Sequence, residues 1–412
     1  MTASTSPRRV AVVGAGVVGL STAWFLQERD IEVTVIDRTG VAAGSSWGNA
    51  GWLTPGIAIP LPEVAVLRYG LRTIFNPAAP LYVPLPPSPQ LINFLLRFAR
   101  NCTNERWQRG MAALIPINGE ALPAFDDLAA GGVTAQTREA TPFITAFRSP
   151  VEREPLLDEL SLIRAAGQDL EFESIDGAAA RDLDPALSNA ITAALVLHGQ
   201  RFLDPAAYTH ALADAVTARG GTIRTGIDVP TIADEPGGVV IGGKRYDAAV
   251  IATGARLGEL ARPFGVRTIV QAGRGYSFSV PIEQVPPGPL YFPAERVACT
   301  PIGDRLRVAG MMEFRSPDAP LDQRRIRAIV NAANPLLRGA DFNHRRDEWV
   351  GSRPVTPSGL PLIGATNSPH VFVAGGHGMW GFTLGPATGR LLAEQIATGR
   401  VPAALAPFDP LR

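Results

Sequence analysis

The stretch VAVVGAGVVGLSTAWFLQERDIEVTVID, from Val10 to Asp37, decides the fold. Val10 to Val13 form an apolar, mostly β-branched run, the pattern of a buried parallel strand. Gly14, Gly16 and Gly19 follow as G-x-G-x-x-G. Gly14 permits a sharp turn, Gly16 lets a pyrophosphate approach the backbone, and Gly19 lets the following helix pack close to the strand. That helix opens at Val17 and Val18, so its unpaired N–H groups aim at the phosphates. Val33 to Ile36 make a second strand, and Asp37 ends it with a carboxylate placed to accept hydrogen bonds from ribose hydroxyls. Strand, glycine turn, helix, strand and acid together point to dinucleotide binding, whereas a glycine triplet alone would not.

Working outward, 412 residues exceed what one core organises, so two domains are expected. Lysine plus arginine and aspartate plus glutamate both total 38, which removes the electrostatic case for nucleic acid or an anionic membrane. The two cysteines, Cys102 and Cys299, stand far apart in no metal-like or C-x-x-C spacing. They read as buried, inert thiols of a reducing compartment. The histidines show no ligand spacing, so no metal is expected. The polar start MTASTSPRR does not resemble a signal peptide, and no run is long enough to span a bilayer. A cytoplasmic protein is expected, with peripheral membrane contact if its electrons go to a quinone. The apolar helix near Gln90 to Arg100 reads as core-facing rather than membrane-bound.

After Asp37 the chain departs from a simple nicotinamide dehydrogenase, which would run on into further strand–helix units. Residues 55–89 are proline-rich and irregular. Helices are predicted at 90–103, 105–131, 150–167 and 204–221, the last with Asp204 as N-cap and Pro205 in its first turn. AAVIATGA (248–255) is a short apolar strand ending in Thr253 and Gly254, as parallel strands end above a ligand. Alternation over 266–315 predicts an antiparallel sheet.

Four ordered motifs now go beyond pattern: the opening fingerprint, GSSWGNAGWLTPG (44–56), GSRPVTPSGLPLIG (351–364) and GGHGMWGFTLGPATGRLLAEQI (375–396). Together with GYS (275–277) and RVAGMMEF (307–314), they resemble the D-amino-acid oxidase superfamily of flavoproteins. Within it the chain is most similar to the small subunit of D-amino-acid dehydrogenases and to glycine oxidases. The resemblance implies an α/β fold: a FAD-binding Rossmann-like domain of glutathione-reductase type, with an inserted α+β substrate domain on an antiparallel sheet. It suggests residues 1–55, 150–262 and 345–412 for the first domain, and 56–149 and 263–344 for the second. The implied cofactor is non-covalent FAD. The implied reaction is hydride transfer from a substrate α-carbon to the flavin, giving an imine that hydrolyses to an oxo acid and an amine.

The residues carry their own reading beside this. Ser45 and Ser46 are small hydroxyls suited to phosphate or ribityl oxygens, or simply to a polar turn. Asn49, Ala50 and Gly51 are small enough to pass along a flat ring. By resemblance Gly51 and Trp52 lie near the reactive flavin atom, with Trp52 facing substrate; a core aromatic is the alternative. Arg353, between Gly351 and Pro354, carries a fork that matches a carboxylate. In the resembling families it clamps the substrate; a structural ion pair is the alternative. The turn and helix start at Gly378, Met379, Trp380, Gly381, Phe382 and Thr383 offer backbone donors to a reduced flavin. His377 and Trp380 lie on the same turn, within reach of substrate. Tyr276 and Met312 belong to the sheet expected to face substrate, although a structural tyrosine fits equally well. Val229 is expected at the adenine through its backbone, and Arg38 over that ring. The substrate is expected to be a small amino acid or an N-substituted glycine, the electron acceptor O2 or a quinone, and the state a homo-oligomer or a monomer. A flavin-carrying docking subunit and a nicotinamide enzyme are the rival classes.

Overall fold

The structure, a computed structural model, describes residues 7–64, 67, 76 and 78–412. The N-terminal six residues and much of the proline-rich excursion at 65–75 therefore lie outside the described residues. The first domain is built on a six-stranded sheet in the order Thr222–Arg224, Glu32–Ile36, Arg9–Val13, Ala248–Ile251, Val371–Gly375, Leu362–Ala365. The first five run parallel, with Val10 beside both Val33 and Ala248, and the last pairs antiparallel at the edge. Central strands such as RVAVV and AAVI are buried on both faces, as sheets covered by helices on one side and further structure on the other require.

On one face lie the helices Val17–Gln27, Pro205–Ala218 and Gly381–Thr398. The first and last cross closely: a Cβ on Gly389 would stand 2.6 Å from the Ser21 carbonyl carbon. Asp204 caps its helix as expected, accepting from the N–H groups of Ala206 and Ala207. The opposite face is covered by a small meander over residues 233–246 and by Phe264, Val266 and Val270.

The second domain is a nine-stranded sheet. Its main path runs Arg346–Val355, Gln271–Pro281, Arg305–Phe314, Val297–Ile302, Leu290–Phe292, Phe143–Phe147, Ala193–Leu197, Phe172–Asp176, and Leu81–Tyr82 pairs alongside Arg305–Phe314. One face packs on the helix Gln323–Ala333 through Ile326, Ile329, Phe278, Val280, Val308 and Cys299. The other face turns toward the first domain.

Five elements sit in the other domain from the one expected. The strands at 172–176 and 193–197, placed above in the cofactor domain, belong to the substrate-side sheet, as does the strand carrying Arg353. Conversely, the helices Asn104–Gly119 and Ala121–Ala130, placed above in the substrate domain, bury Leu114, Ile117, Phe125 and Leu128 in the cofactor-domain core. Each such side chain contributes roughly 1.5–3 kcal/mol wherever an apolar face receives it, so composition alone does not say which core it joins. The helix Pro89–Asn101 buries Leu91, Phe94 and Phe98 and leaves Ile92 and Leu96 exposed. Among the described residues no helix is long and apolar enough to cross a membrane.

Candidate active site

The glycine fingerprint builds a cradle by the absence of side chains. Gly14 sits at φ +118°, and a Cβ there would stand 2.3 Å from the Ala252 carbonyl oxygen. On Gly19 it would stand 2.0 Å from the Gly14 carbonyl oxygen. The Asp37 carboxylate accepts from Ala15 N–H at 2.9 Å and from Thr39 and Gly40 N–H at 2.8 and 3.0 Å, which locks the turn and still leaves acceptor capacity at the strand tip. The Val17 N–H is met by the Ser46 hydroxyl at 3.1 Å. Helix geometry leaves Val18 and Gly19 N–H without intrahelical acceptors. Thr253 Oγ1, at the adjacent strand end, is buried with no hydrogen-bond partner. An orphaned hydroxyl beside a glycine cradle and a helix N-terminus fits a dinucleotide. Val229 is buried in the cluster that holds Val13 and Ile36. The Arg38 guanidinium reaches Asp318 at 3.3 Å on the surface.

The loop from Ser45 to Trp52 joins the two domains. Ser45 Oγ donates to Ser352 O, Ser277 Oγ to Gly48 O and Arg307 to Trp47 O. Asn49 Oδ1 accepts from Gly51 N–H at 2.8 Å, and Gly51 itself needs φ +79° with Leu203 O against it. Thr300 Oγ1 donates to Ala50 O at 2.6 Å and accepts from Trp52 Nε1 at 2.9 Å. The Trp52 indole also meets Phe143 and Tyr291 edge-on, with centroids 4.9 and 5.4 Å away. It is a fixed, half-buried wall.

Arg353 lies on the same face of the large sheet. It pairs with Gly273, and its guanidinium spreads across Gly275: a Cβ there would meet Nη1 and Nη2 at 2.3 Å. Nη1 donates to Met311 O at 2.8 Å. Burial alone pushes its pKa down to about 10, and no acid offsets that cost. The structural ion pair weighed as the alternative is thus absent among the described residues. A half-buried fork with open donors and no counter-charge is suited to a ligand carboxylate.

The turn beyond it is tied to this strand, Gly378 N–H donating to Pro354 O at 2.9 Å. Trp380 N–H likewise donates to His377 O, so both of these N–H groups already have a backbone partner. The helix starting at Gly381 has no side-chain cap, which leaves Phe382 and Thr383 N–H in its first turn without intrahelical acceptors. Thr383 Oγ1 bridges Thr54 N–H and Trp52 O, and Met379 is exposed.

One expected substrate residue is placed elsewhere. Tyr276 points to the opposite face of the sheet, where its hydroxyl donates to Glu313 within the helix-covered core. Successive strand side chains alternate faces, so a tyrosine next to Gly275 cannot share that glycine's side. Met312 stays on the Arg353 side of the sheet: its sulfur fills the space over Gly273, where a Cβ would stand 2.4 Å from it, against the cluster of Val83, Phe94 and Phe314. Trp380 Nε1 is held by Ile59 O at 2.7 Å. His377 is buried, with Nε2 2.9 Å from Thr388 Oγ1, and burial pushes its pKa down to about 4. Above pH 6.5 the ring is neutral folded or unfolded. As pH falls toward 4, only the unfolded chain takes the proton, so folding loses about 2 kcal/mol by pH 5. Urea midpoints at pH 7.5 and 5 should show that loss, and His377→Asn should flatten it.

Sequence reading missed Thr300 and Trp349. The Trp349 ring occupies the space over Gly48 and Gly351, where a Cβ would stand 2.1 and 1.9 Å from it. The available signal was glycine at alternate strand positions, Gly273 and Gly275, which clears one face for a neighbour's side chain.

Residues 9–395 match the family described as DAO, FAD dependent oxidoreductase. The chain is 32% identical to a D-amino acid dehydrogenase from Cereibacter sphaeroides over 407 residues, 96% of this chain and 92% of that one. Its fold is similar to glycine oxidase from Geobacillus kaustophilus, with TM-score 0.73, 22% identity, and 98% and 99% of the two chains covered. It is similar also to iminodiacetate oxidase from Chelativorans sp. BNC1, with TM-score 0.71, 18% identity, and 98% and 99% covered.

Proposed function

The chain belongs to the DAO family of FAD-dependent oxidoreductases, and from that premise we propose that it oxidises a D-amino acid at the α-carbon. The observation that carries this reading is the Arg353 fork, half-buried and with no counter-charge among the described residues, on the face that also holds Trp52. Bound FAD supplies a two-electron acceptor for the α-hydride. The chain supplies positioning. Arg353 holds the substrate carboxylate, which fixes the α-carbon. The Thr300-locked indole of Trp52 limits where the side chain goes. Val18 and Gly19 at one helix start and Phe382 and Thr383 at another offer backbone N–H groups to the cofactor's phosphates and its electron-rich edge. His377, neutral and bonded to Thr388, takes no part in proton transfer. The substrate amine must be unprotonated to release hydride, and the resulting imine hydrolyses to an oxo acid and ammonia.

The test is anaerobic mixing of the yellow holoenzyme with D-amino acids, L-amino acids and N-alkylglycines. D-amino acids should bleach the flavin band. Bleaching by N-alkylglycines alone, with glyoxylate as product, would replace this reading with a glycine-oxidase-like one. A flavin that stays yellow with every amine would end both. Reoxidation of the bleached enzyme by air or by a soluble quinone then identifies the acceptor.

A further inference from the structure

The carbonyl that steadies Arg353 is itself held in an unusual place. Across the strands Gln271–Pro281 and Arg305–Phe314, Arg274 faces Glu313 but Tyr276 faces Gly310. Gly275 is therefore opposite both Met311 and Met312, which is a β-bulge. Met311 takes φ +68°, a left-handed conformation that a methionine does not choose without constraint. The bulge frees the Met311 carbonyl from the ladder, and Arg353 Nη1 binds it at 2.8 Å.

The constraint comes from the other face of the sheet. Glu313 is fully buried there, as are Arg274, Arg325 and Tyr276, on the face that also carries Phe278, Val280, Leu306 and Val308. Its carboxylate accepts from the Tyr276 hydroxyl, lies 3.8 Å from Arg274 Nη1 and 3.3 Å from Arg315 Nε. Arg274 in turn donates to the carbonyls of Ala319 and Pro320 at 2.5 and 3.1 Å. The remaining side of the bulge is tied as well: Met312 N–H donates to Pro80 O at 2.7 Å, and Arg325 donates to that carbonyl and to Ala79 O. Burial, and then the Glu313 carboxylate, raise the Tyr276 pKa, so the phenol stays a neutral donor. Buried charged groups gain little stability over apolar ones of equal volume, so their presence at the bulge calls for a local reason.

We propose that Glu313, with Tyr276 and Arg274 attached, is a positioning group for the substrate carboxylate. It pins the bulge from behind the sheet, sets the direction of the Met311 carbonyl, and through it sets the angle of the Arg353 fork. This rests on the carboxylate-clamp reading above. The test uses the holoenzymes Tyr276→Phe, Glu313→Gln and Glu313→Ala, titrated with sodium benzoate against the flavin absorbance and assayed for turnover. Arg353→Lys serves as control.

Tyr276→Phe and Glu313→Ala should raise the benzoate Kd and the KM together by about five- to tenfold, with kcat changed less than about threefold. Glu313→Gln, which keeps an acceptor for Tyr276, should recover part of the loss. Should the Glu313 variants fail to fold, Tyr276→Phe decides alone, since it removes one oxygen and keeps the ring packing. Benzoate binding within about twofold of wild type in Tyr276→Phe, while Arg353→Lys clearly weakens it, overturns the positioning role. Undiminished binding in Arg353→Lys itself overturns the clamp reading instead.

Discussion

Arg353→Met should lower kcat/KM by about a thousandfold, roughly 4 kcal/mol, while the protein still purifies yellow. The size follows from what is lost: a charge-assisted, two-pronged contact made away from bulk water, and with it the orientation of the α-carbon. The same substitution should make the free enzyme more stable. Burial lowers the Arg353 pKa to about 10 with nothing opposite to compensate, so below that pH the folded state carries a desolvation cost that the unfolded chain escapes. That cost eases as pH rises from about 10 toward the ordinary arginine value. Replacing the guanidinium by an apolar chain should therefore add roughly 1–3 kcal/mol at neutral pH. Arg353→Lys keeps the charge but not the fork, and should fall between. Gly275→Ala should resemble Arg353→Met kinetically, because its Cβ would occupy the guanidinium's own space. Steady-state kinetics and thermal scans of the variants check both halves. A fully active Arg353→Met, or one that is inactive and less stable, would contradict the assignment.

Gly14→Ala should yield colourless protein, destabilised by about 4 kcal/mol. Two costs add. The residue sits at φ +118°, and its new Cβ would lie 2.3 Å from Ala252 O, a backbone atom of the neighbouring central strand that cannot move aside. Gly16→Ala is the informative contrast. A Cβ there meets only the Ser46 hydroxyl, at 3.3 Å, and the position has ordinary φ. That variant should fold with near-normal stability but hold FAD weakly, because the added methyl stands where a phosphate must approach the backbone. The flavin-to-protein ratio and the urea midpoint separate the two outcomes. Equal behaviour of the two variants would mean that the turn does not grip the cofactor as described.

The cofactor domain was legible in the chain because its determinants are local. Three glycines, an alternating strand and an acid at its tip act within 28 residues, and each answers a constraint from the backbone next to it. Asp204 at its helix N-terminus and the strand ending at Thr253 were legible for the same reason. The domain boundaries were harder. AALVL at 193–197 is buried on all sides and reads the same in either sheet, and only pairing with residues some fifty positions away assigns it.

The candidate site divides along the same line. The ordered motifs and the family they resemble put Arg353, Trp52 and the 45–51 loop forward as one group, and the residue types by themselves offered a fork of the right shape for a carboxylate. Tertiary structure alone decided that Tyr276 faces away while Thr300 faces in, because a strand's two sides differ by one residue and a bulge at Met311 resets the count. It also decided that Arg353 has no acid beside it among the described residues, since counter-charges are a matter of distance between strands and not of order along the chain. The physical reason is one of range: backbone conformation and capping depend on neighbours in sequence, whereas the desolvation of a charge and the partner it finds depend on everything that packs around it.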